Sequence, residues 1–554
     1  MCGIFLLLNN ENYDELFIIE QFNKGGHRGP ENSTLDYFNN SKSNYIGFHR
    51  LAINGLNDNS NQPITVGDIT IICNGEIYNY KDLYKQFDDV TPTTDSDCEV
   101  IIYCYKKYGI EYTLQLLDGV FAFALIDKDK IYIARDPFGV RPMYYFNNRT
   151  TWGFASELKQ VDKFVVNNDT TIEQFPPSCF FSFNKKLDTW CFKENKRYIT
   201  PFIQSVENYD YDEILNNIQY YLTNAVVKRI HTSDRPIACL LSGGLDSSLI
   251  TSIVSKNYSK KLKTFSIGLK GSEDLKYAKM VADFLETDHT ELVVSEKDFL
   301  DAIPEVIEKI ESYDTTTVRA SVGNYLLGKY ISENSDCKVI FNGDGSDELC
   351  GGYLYMHNCP DKYEFDKECK RLLTDICYFD VLRSDRSIST NGLEPRTPFL
   401  DRTWVQYYLS IDPDIRFHPN HNQCEKYLLR KAFDNSCYLP KEVLWRTKEA
   451  FSDGVSSINN SWYTIIENSL QGKYNVKNTE NLMIINKPTT NEQMYYRMIF
   501  NKHYCNSQHT IPYFWMPKYT NASDSSARTL EFYKNINKIS VDTINTPIKK
   551  KNIL

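Results

Sequence analysis

The sequence predicts an α+β domain built on antiparallel sheets, followed by an α/β domain built on a parallel sheet. Three observations carry this prediction. Up to about residue 195, short apolar runs of strand length are separated by turns, with few helical patterns between them. Beyond about residue 210, strand runs alternate with helical ones, the pattern of a parallel sheet covered on both faces. At 554 residues the chain is also too long for one hydrophobic core, so two or three domains are expected.

In the first half the expected strands are Ile4 to Leu8, Tyr45 to Ile53, Ile69 to Cys73, Val120 to Ile126 and Ile131 to Ala134. Helical patterns fall at Asp14 to Phe22 and Asp97 to Lys107. The polar stretch from Lys193 to Tyr211 reads as a linker, which sets expected limits of 2–195 for the first domain, 196–211 for the linker, 212–530 for the second domain and 531–554 for a tail.

The second half opens with an amphipathic pattern from Asp212 to Ile230 that leads into the strand before Ser242. A strand is expected at Lys263 to Leu269, then a helix through Phe284, one long helical region from Asp298 to Asn334, and a strand at Lys338 to Phe341. Ligands in such sheets sit at the carboxyl ends of the strands. Two unusual turns land there, Ser242 to Ser248 and Asn342 to Glu348.

Composition narrows the function. The chain is 42% hydrophobic and carries a formal net charge of −10, which argues against a nucleic-acid surface, since phosphate binding there needs a basic stripe. Fifteen cysteines are scattered without CxxC pairs or histidines at zinc spacing, so neither a disulfide framework nor a zinc site is suggested, and a reducing compartment is expected. No apolar run approaches a membrane span, and the start MCGIFLLLNNENYDE lacks the basic beginning and cleavage site of a signal peptide. A cytoplasmic protein is expected.

The run IACLLSGGLDSSLI, Ile237 to Ile250, passes from a strand through Ser242, Gly243 and Gly244 into a helix start. Free N–H groups and the helix dipole at such an end bind anionic oxygen. Ser242, Ser247 and Ser248 add hydroxyl donors. Asp246 would repel phosphate unless a cation lay between them, and Mg²⁺ is its natural partner. The spacing is neither GxxxxGK[ST] nor GxGxxG. SGGLDSS resembles the pyrophosphate-binding loop of the ATP pyrophosphatase family, which implies cleavage of ATP between its α- and β-phosphates. The second turn packs three acids and two glycines into seven residues without EF-hand spacing. Beside Asp246, it reads as the other wall of a Mg²⁺ and nucleotide site.

Cys2 follows a methionine that is commonly removed before a small residue. Its amine would then be free, with a pKa of about 7.7 to 8.0, close enough to the thiol's to serve as its base. Alone, a second-position cysteine is incidental. The ordered runs MCGIF, His27 to Pro30, His49 to Ile53, Asn74 to Asn79, Ser96 to Glu99, LDGVFAFAL and RDPFGVRPMYY resemble the class II glutamine amidotransferase domain over most of the first 195 residues. The resemblance implies a fold of the N-terminal nucleophile type with Cys2 as nucleophile, and an oxyanion hole from the Asn74 side chain and Gly75 N–H. It also implies a glutamine site of Arg50, Leu51, Ile53, Asn74, Glu76 and Asp97. Arg50 offers a planar fork to an α-carboxylate and Asp97 a charge to an α-ammonium.

Farther on, Asn342 to Glu348 is similar to the motif GEGSDE. With GGYLYMH, Asp380 to Arg383, Glu394 to Asp401, Glu425-Lys426, LLRKAF and Trp445 to Gly454, it resembles asparagine synthetase of the glutamine-hydrolysing type. That resemblance implies ATP-dependent conversion of aspartate to asparagine through β-aspartyl-AMP, with AMP, pyrophosphate and glutamate as the other products. Ammonia would cross between the sites in a protected tunnel. It further implies an ATP and pyrophosphate site of Leu240, Ser242, Gly243, Gly244, Asp246, Ser247, Ser248, Ile267, Asn342 and Gly343, with Asp246 and Asp347 toward Mg²⁺. Asp344 and Lys448 would be the catalytic residues. Asp344 stands where the family carries Glu, Asn342 where it carries Ser, and Asn324 where close relatives carry Met near the adenine. For Arg396 and Arg446 a snorkelling surface cation is the alternative. The implied partners are the small molecules glutamine, aspartate and ATP and a second copy of the chain, with no organic prosthetic group, nucleic acid or membrane.

Two rivals remain. An enzyme of the same two domains that closes a β-lactam ring usually lacks the glutaminase nucleophile, which Cys2, Arg50 and Asp97 speak against. A catalytically silent binding protein is raised by Asp344.

Overall fold

Every residue of the strand Gly3–Leu8 is buried, and that fact sets the layering of the first half. Successive strand side chains point to opposite faces. Ile4, Leu6 and Leu8 pack with Ile46 and Phe48 of their own sheet against Ile72, Ala122, Ala124 and Ile133 of a second sheet. Phe5 and Leu7 face the other way, into a cluster with Phe22, Phe146 and Phe164 that continues to Val306, Ile310 and Ile388 in the second half.

The computed structural model describes residues 1–39, 41–165, 169–200, 202, 210–421, 424–434, 437–458, 460–474, 476, 485–531 and 533. Most of the expected tail, with its basic TPIKKKNIL end, and much of the expected linker lie outside the described residues. The first sheet runs Thr170–Gln174, Tyr144–Asn148, Thr151–Ala155, Gly3–Leu8, Ser41–Arg50, Asn32–Phe38. The second runs Thr189–Arg197, Cys179–Lys186, Lys130–Arg135, Gly119–Asp127, Ile69–Ile77, Ile64–Val66. Their strand pairings are antiparallel, as expected. The helix Val100–Leu116 covers the outer face of the second sheet through Ile101, Cys104 and Leu114.

The second half holds a parallel sheet in the order Asp288–Val294, Lys263–Leu269, Ile237–Leu240, Val339–Phe341, Glu394–Arg396. Ala238 and Leu240 face the helices Glu296–Ile310 and Thr315–Asn334, whereas Ile237 and Cys239 face Tyr211–His231 and Leu245–Asn257. The strand order reverses beside Ile237–Leu240, which makes a crevice at its carboxyl end. Both unusual turns open there.

Several expectations need correction. The strand expected to reach Ile53 ends at Arg50, and residues 51–55 are irregular. The strand expected to stop at Cys73 continues to Ile77, because Asn74, Gly75 and Glu76 all pair with Gly119–Asp127. The region from Asp298 to Asn334 is two helices: Glu311 turns left-handed at φ 60°, and Asp314 then caps the second by accepting from Thr317 N–H. Lys193 to Arg197, read as linker, is strand. Helix Val100–Leu116 is interrupted at Gly109, where φ is +74°.

Candidate active sites

Two clusters of the expected residues form, one in each half. Cys2 leads the first. Its thiol donates to the Leu51 carbonyl at 3.5 Å, and burial pushes its pKa up to about 11. Met1 precedes it, buried, with its α-ammonium donating to the Leu393 carbonyl at 3.3 Å. Arg50 donates to the Asn57 carbonyl at 2.9 Å, the Asn61 side chain at 2.7 Å and the Gly55 carbonyl, so carbonyl oxygens hold its guanidinium in place. The extension of the strand to Ile77 places Asn74 and Gly75 within it. Asn74 Nδ2 is buried without a hydrogen-bond partner. A buried amide donor left open costs free energy unless a ligand takes it. A Cβ on Gly75 would lie 2.6 Å from the Val120 carbonyl, so only glycine fits there.

Glu76 accepts from Asn54 Nδ2 at 2.6 Å and pairs with Arg396 at 3.3 Å. Burial, reinforced by Glu394 and Asp97, raises its pKa well above the usual carboxylate range. Asp97 accepts from Ile77 N–H at 2.6 Å, and burial pushes its pKa up to about 6. Ile53 is buried, and its carbonyl accepts from Asp234 N–H at 3.0 Å.

The second cluster lines the crevice. Gly244 leads the helix Leu245–Asn257 without a side-chain cap, so the N–H groups of its first turn are open to a ligand. Ser242 and Ser247 share a 2.9 Å hydroxyl contact at its mouth. Leu240, Ser242, Gly244, Asp246, Ser247, Ile267, Asn324, Asn342, Gly343, Asp344, Asp347 and Lys448 all border the crevice. Gly243 and Ser248 do not. Gly243 is the hinge of the loop at φ +73°, where a Cβ would strike Ala278 N at 2.4 Å, and its carbonyl accepts from Arg446 at 3.1 Å. Ser248 is buried, and its N–H is spent on the Gly244 carbonyl.

Across the crevice, Asp246 and Asp347 face each other with lysines between them. Lys426 Nζ lies 2.6 Å from both oxygens of Asp246 and 2.5 Å from Asp347, while Lys448 Nζ lies 2.5 Å from Asp347 and 3.8 Å from Asp246. Burial works to raise the Asp347 pKa, but the two ammoniums outweigh it and hold the carboxyl well below its usual range. Asp344 accepts from Asn342 Nδ2 at 2.7 Å and Arg383 at 2.8 Å. Asn342 also donates to Ser384 at 2.6 Å, so its amide ties Asp344 to that hydroxyl.

Lys426, Arg383, Asp380 and Glu348 were not assigned roles from the sequence, although all border the crevice. All four lie within the motif runs Asn342 to Glu348, Asp380 to Arg383 and Glu425-Lys426, where their charge is the only local signal. Glu348 is buried and hydrogen-bonded by Tyr353. Arg396 and Arg446 are not surface cations. Arg396 is 1% exposed and pairs with Glu394 at 3.0 Å, and Arg446 pairs with Asp274 at 2.9 Å.

Among the described residues, no group of three or more His, Cys, Asp or Glu side chains is placed to hold a metal, and no helix is long and apolar enough to cross a membrane. All fifteen cysteines are free thiols.

A glutamine amidotransferase domain model matches residues 1–201, and an asparagine synthase model matches residues 217–364 and 358–512. The chain is 38% identical over 568 residues to the glutamine-hydrolysing asparagine synthetase of Pongo abelii, covering 96% of this chain and 99% of that protein. The corresponding proteins of Mus musculus and Gallus gallus are each 39% identical over the same shares of the chains. With both domain models in order and likeness along nearly its whole length, the chain belongs to the glutamine-hydrolysing asparagine synthetases, a family of glutamine-dependent ligases.

Proposed function

We propose that this enzyme makes asparagine from aspartate through β-aspartyl-AMP, using ammonia that Cys2 releases from glutamine. The single observation that carries the reading is the crevice itself. An uncapped helix start with two serine hydroxyls faces two carboxylates and two lysines, an arrangement suited to a polyphosphate with its counter-ion. The domain limits proposed are 2–195 and 212–530, with a tail at 531–554 and with the linker, expected at 196–211, starting only after the strand Thr189–Arg197 ends. The two family models leave a gap between residues 201 and 217, which supports the division.

In the first half, removal of Met1 makes Cys2 the terminal residue and frees its amine to take the thiol proton. The thiolate attacks the glutamine amide carbon, and the C–N bond breaks as the terminal amine returns its proton to the leaving nitrogen. Ammonia departs, and water then hydrolyses the thioester to glutamate and free Cys2. Asn74 Nδ2, the open buried donor, and Gly75 N–H receive the oxygen as it gains charge; a donor of that kind typically contributes about 2.7 to 4 kcal/mol. Arg50 holds the α-carboxylate and Asp97 the α-ammonium, with Leu51, Ile53 and Glu76 completing the wall.

In the second half, Leu240 and Ile267 border the nucleotide and the 242–248 loop holds the phosphates. Mg²⁺ is usually held by one or two carboxylates plus substrate phosphates. Asp246, within the loop, and Asp347, across the crevice from it, are such a donor set and would hold the ion, which when bound would neutralise phosphate charge. As pyrophosphate leaves, Lys448 balances its charge. Asp344, fixed by Asn342 and Arg383, keeps its carboxylate at the edge of the site where ammonia meets the adenylate. The proposed setting is a cytoplasmic homodimer.

Isotope exchange tests the adenylation step. Labelled pyrophosphate should enter ATP only when aspartate is present, with no nitrogen source. Exchange that ignores aspartate, or that responds to a different acid, would overturn this assignment.

A further inference from the structure

Residues 51–55 carry the Cys2 and Arg50 contacts but belong to no helix or strand, so their position depends on where their polar groups are tied. On one side the ties are to the glutaminase centre. Leu51 O accepts from Cys2, Asn54 O and Gly55 O accept from Arg50, and Asn54 Nδ2 donates to Glu76. On the other side they come from the synthetase half. Asp234 N–H donates to Ile53 O at 3.0 Å, and its carboxylate accepts from Gly55 N–H at 3.0 Å. Arg235 donates from Nε to Ala52 O at 2.8 Å and pairs with Glu31 at 2.7 Å, while Glu31 accepts from Ala52 N–H at 2.7 Å.

We propose that Asp234 and Arg235, in the synthetase half, are positioning residues for glutamine in the other half. This rests on the reading that glutamine lies against Cys2 and Arg50. Neither residue touches the substrate; each fixes a turn whose opposite edge does. The two lie between helix Tyr211–His231 and strand Ile237–Leu240, the strand that delivers Ser242 to the pyrophosphate loop. The glutamine turn is therefore braced by the segment that enters that strand at the end away from Ser242, and glutamine affinity is a property of the joined halves.

The test is steady-state glutaminase kinetics and ammonia-dependent synthesis of the full-length D234A, D234N, R235A and E31Q variants. D234A and R235A should each raise KM for glutamine about three- to tenfold with kcat within about twofold, because a loosened turn weakens binding rather than the chemical step. D234N keeps an oxygen for Gly55 N–H and should return KM to within about threefold of wild type. E31Q weakens the Arg235 bridge from the glutaminase side and should raise KM in the same sense, which keeps the test available if R235A folds poorly. Ammonia-dependent synthesis should stay within about twofold throughout, since the crevice is untouched. An unchanged glutamine KM in D234A and R235A, or parallel loss of ammonia-dependent synthesis, would overturn the proposal. A wild-type enzyme with no glutaminase activity would instead overturn the underlying glutamine reading, and the proposal with it.

Discussion

Lys426 Nζ sits 2.6 Å from both carboxylate oxygens of Asp246 while also pairing with Asp347 at 2.5 Å, so one ammonium bridges the two turns that form the crevice. The Lys426 side chain is 1% exposed, and a Cβ on Gly352 would come within 2.0 Å of Lys426 Cε. Lys426→Met should therefore destabilise the protein by about 3 kcal/mol, because removing one partner of a buried pair leaves charge uncompensated. Urea unfolding measures it. A change under about 0.5 kcal/mol would mean that Lys448 alone satisfies both acids.

Gly343 touches the opposite turn closely: an added Cβ would lie 2.7 Å from Asp246 Cβ and 2.8 Å from Ser247 N. Gly343→Ala should push the acidic turn off the pyrophosphate loop and lower aspartate-dependent ATP cleavage at least about 100-fold, since a displacement near 1 Å can cost that much. Glutaminase activity should persist. Equal loss of both activities would point to a folding defect.

On the proposed mechanism the two halves separate chemically at Cys2. Cys2→Ala should abolish asparagine formation from glutamine and leave formation from ammonia within about twofold of wild type. Product analysis with each nitrogen source reads the result, and loss of both activities would contradict separate sites.

If Asp97 holds the α-ammonium as proposed, glutamine binding depends on pH. Burial raises its pKa to about 6, so the carboxylate is charged above that value and neutral below it. KM for glutamine should rise as pH falls through about 6, with the inflection absent in Asp97→Asn. Stability runs the other way. Because the folded pKa exceeds the unfolded value of about 3.9, the buried charge costs stability above pH 6 and nothing below pH 4. Asp97→Asn should gain up to about 3 kcal/mol at pH 8 relative to pH 4, as thermal melts at the two pH values would show.

Much of this arrangement could be read from the chain before any coordinates. The strand Lys263–Leu269 was expected at its observed limits because Phe265, Ile267 and Leu269 recur at every second position, the period of a strand, and all three are buried. Asp288–Val294 escaped notice because it is an edge strand whose side chains alternate between exposed and half-buried, and its polar letters read as loop. Glu394–Arg396 was hidden by its charges, which are satisfied by buried partners far away in sequence. The same blindness explains Lys426. Asp246 and Asp347 each stood out within a glycine-rich turn, but nothing local to residue 426 reveals that it bridges them. Gly243 and Ser248 enter the phosphate site through the pattern SGGLDSS, which does not reveal that the helix beginning at Leu245 buries Ser248.

The most direct test of the central claim is the stoichiometry of purified enzyme supplied with glutamine, aspartate and Mg-ATP, each omitted in turn, with asparagine, glutamate, AMP and pyrophosphate counted chromatographically. Asparagine, AMP and pyrophosphate should appear in equal amounts and only when aspartate is present. Glutamate formed without AMP, or ADP formed in place of AMP, would contradict adenylation of aspartate in the crevice between Asp246 and Asp347.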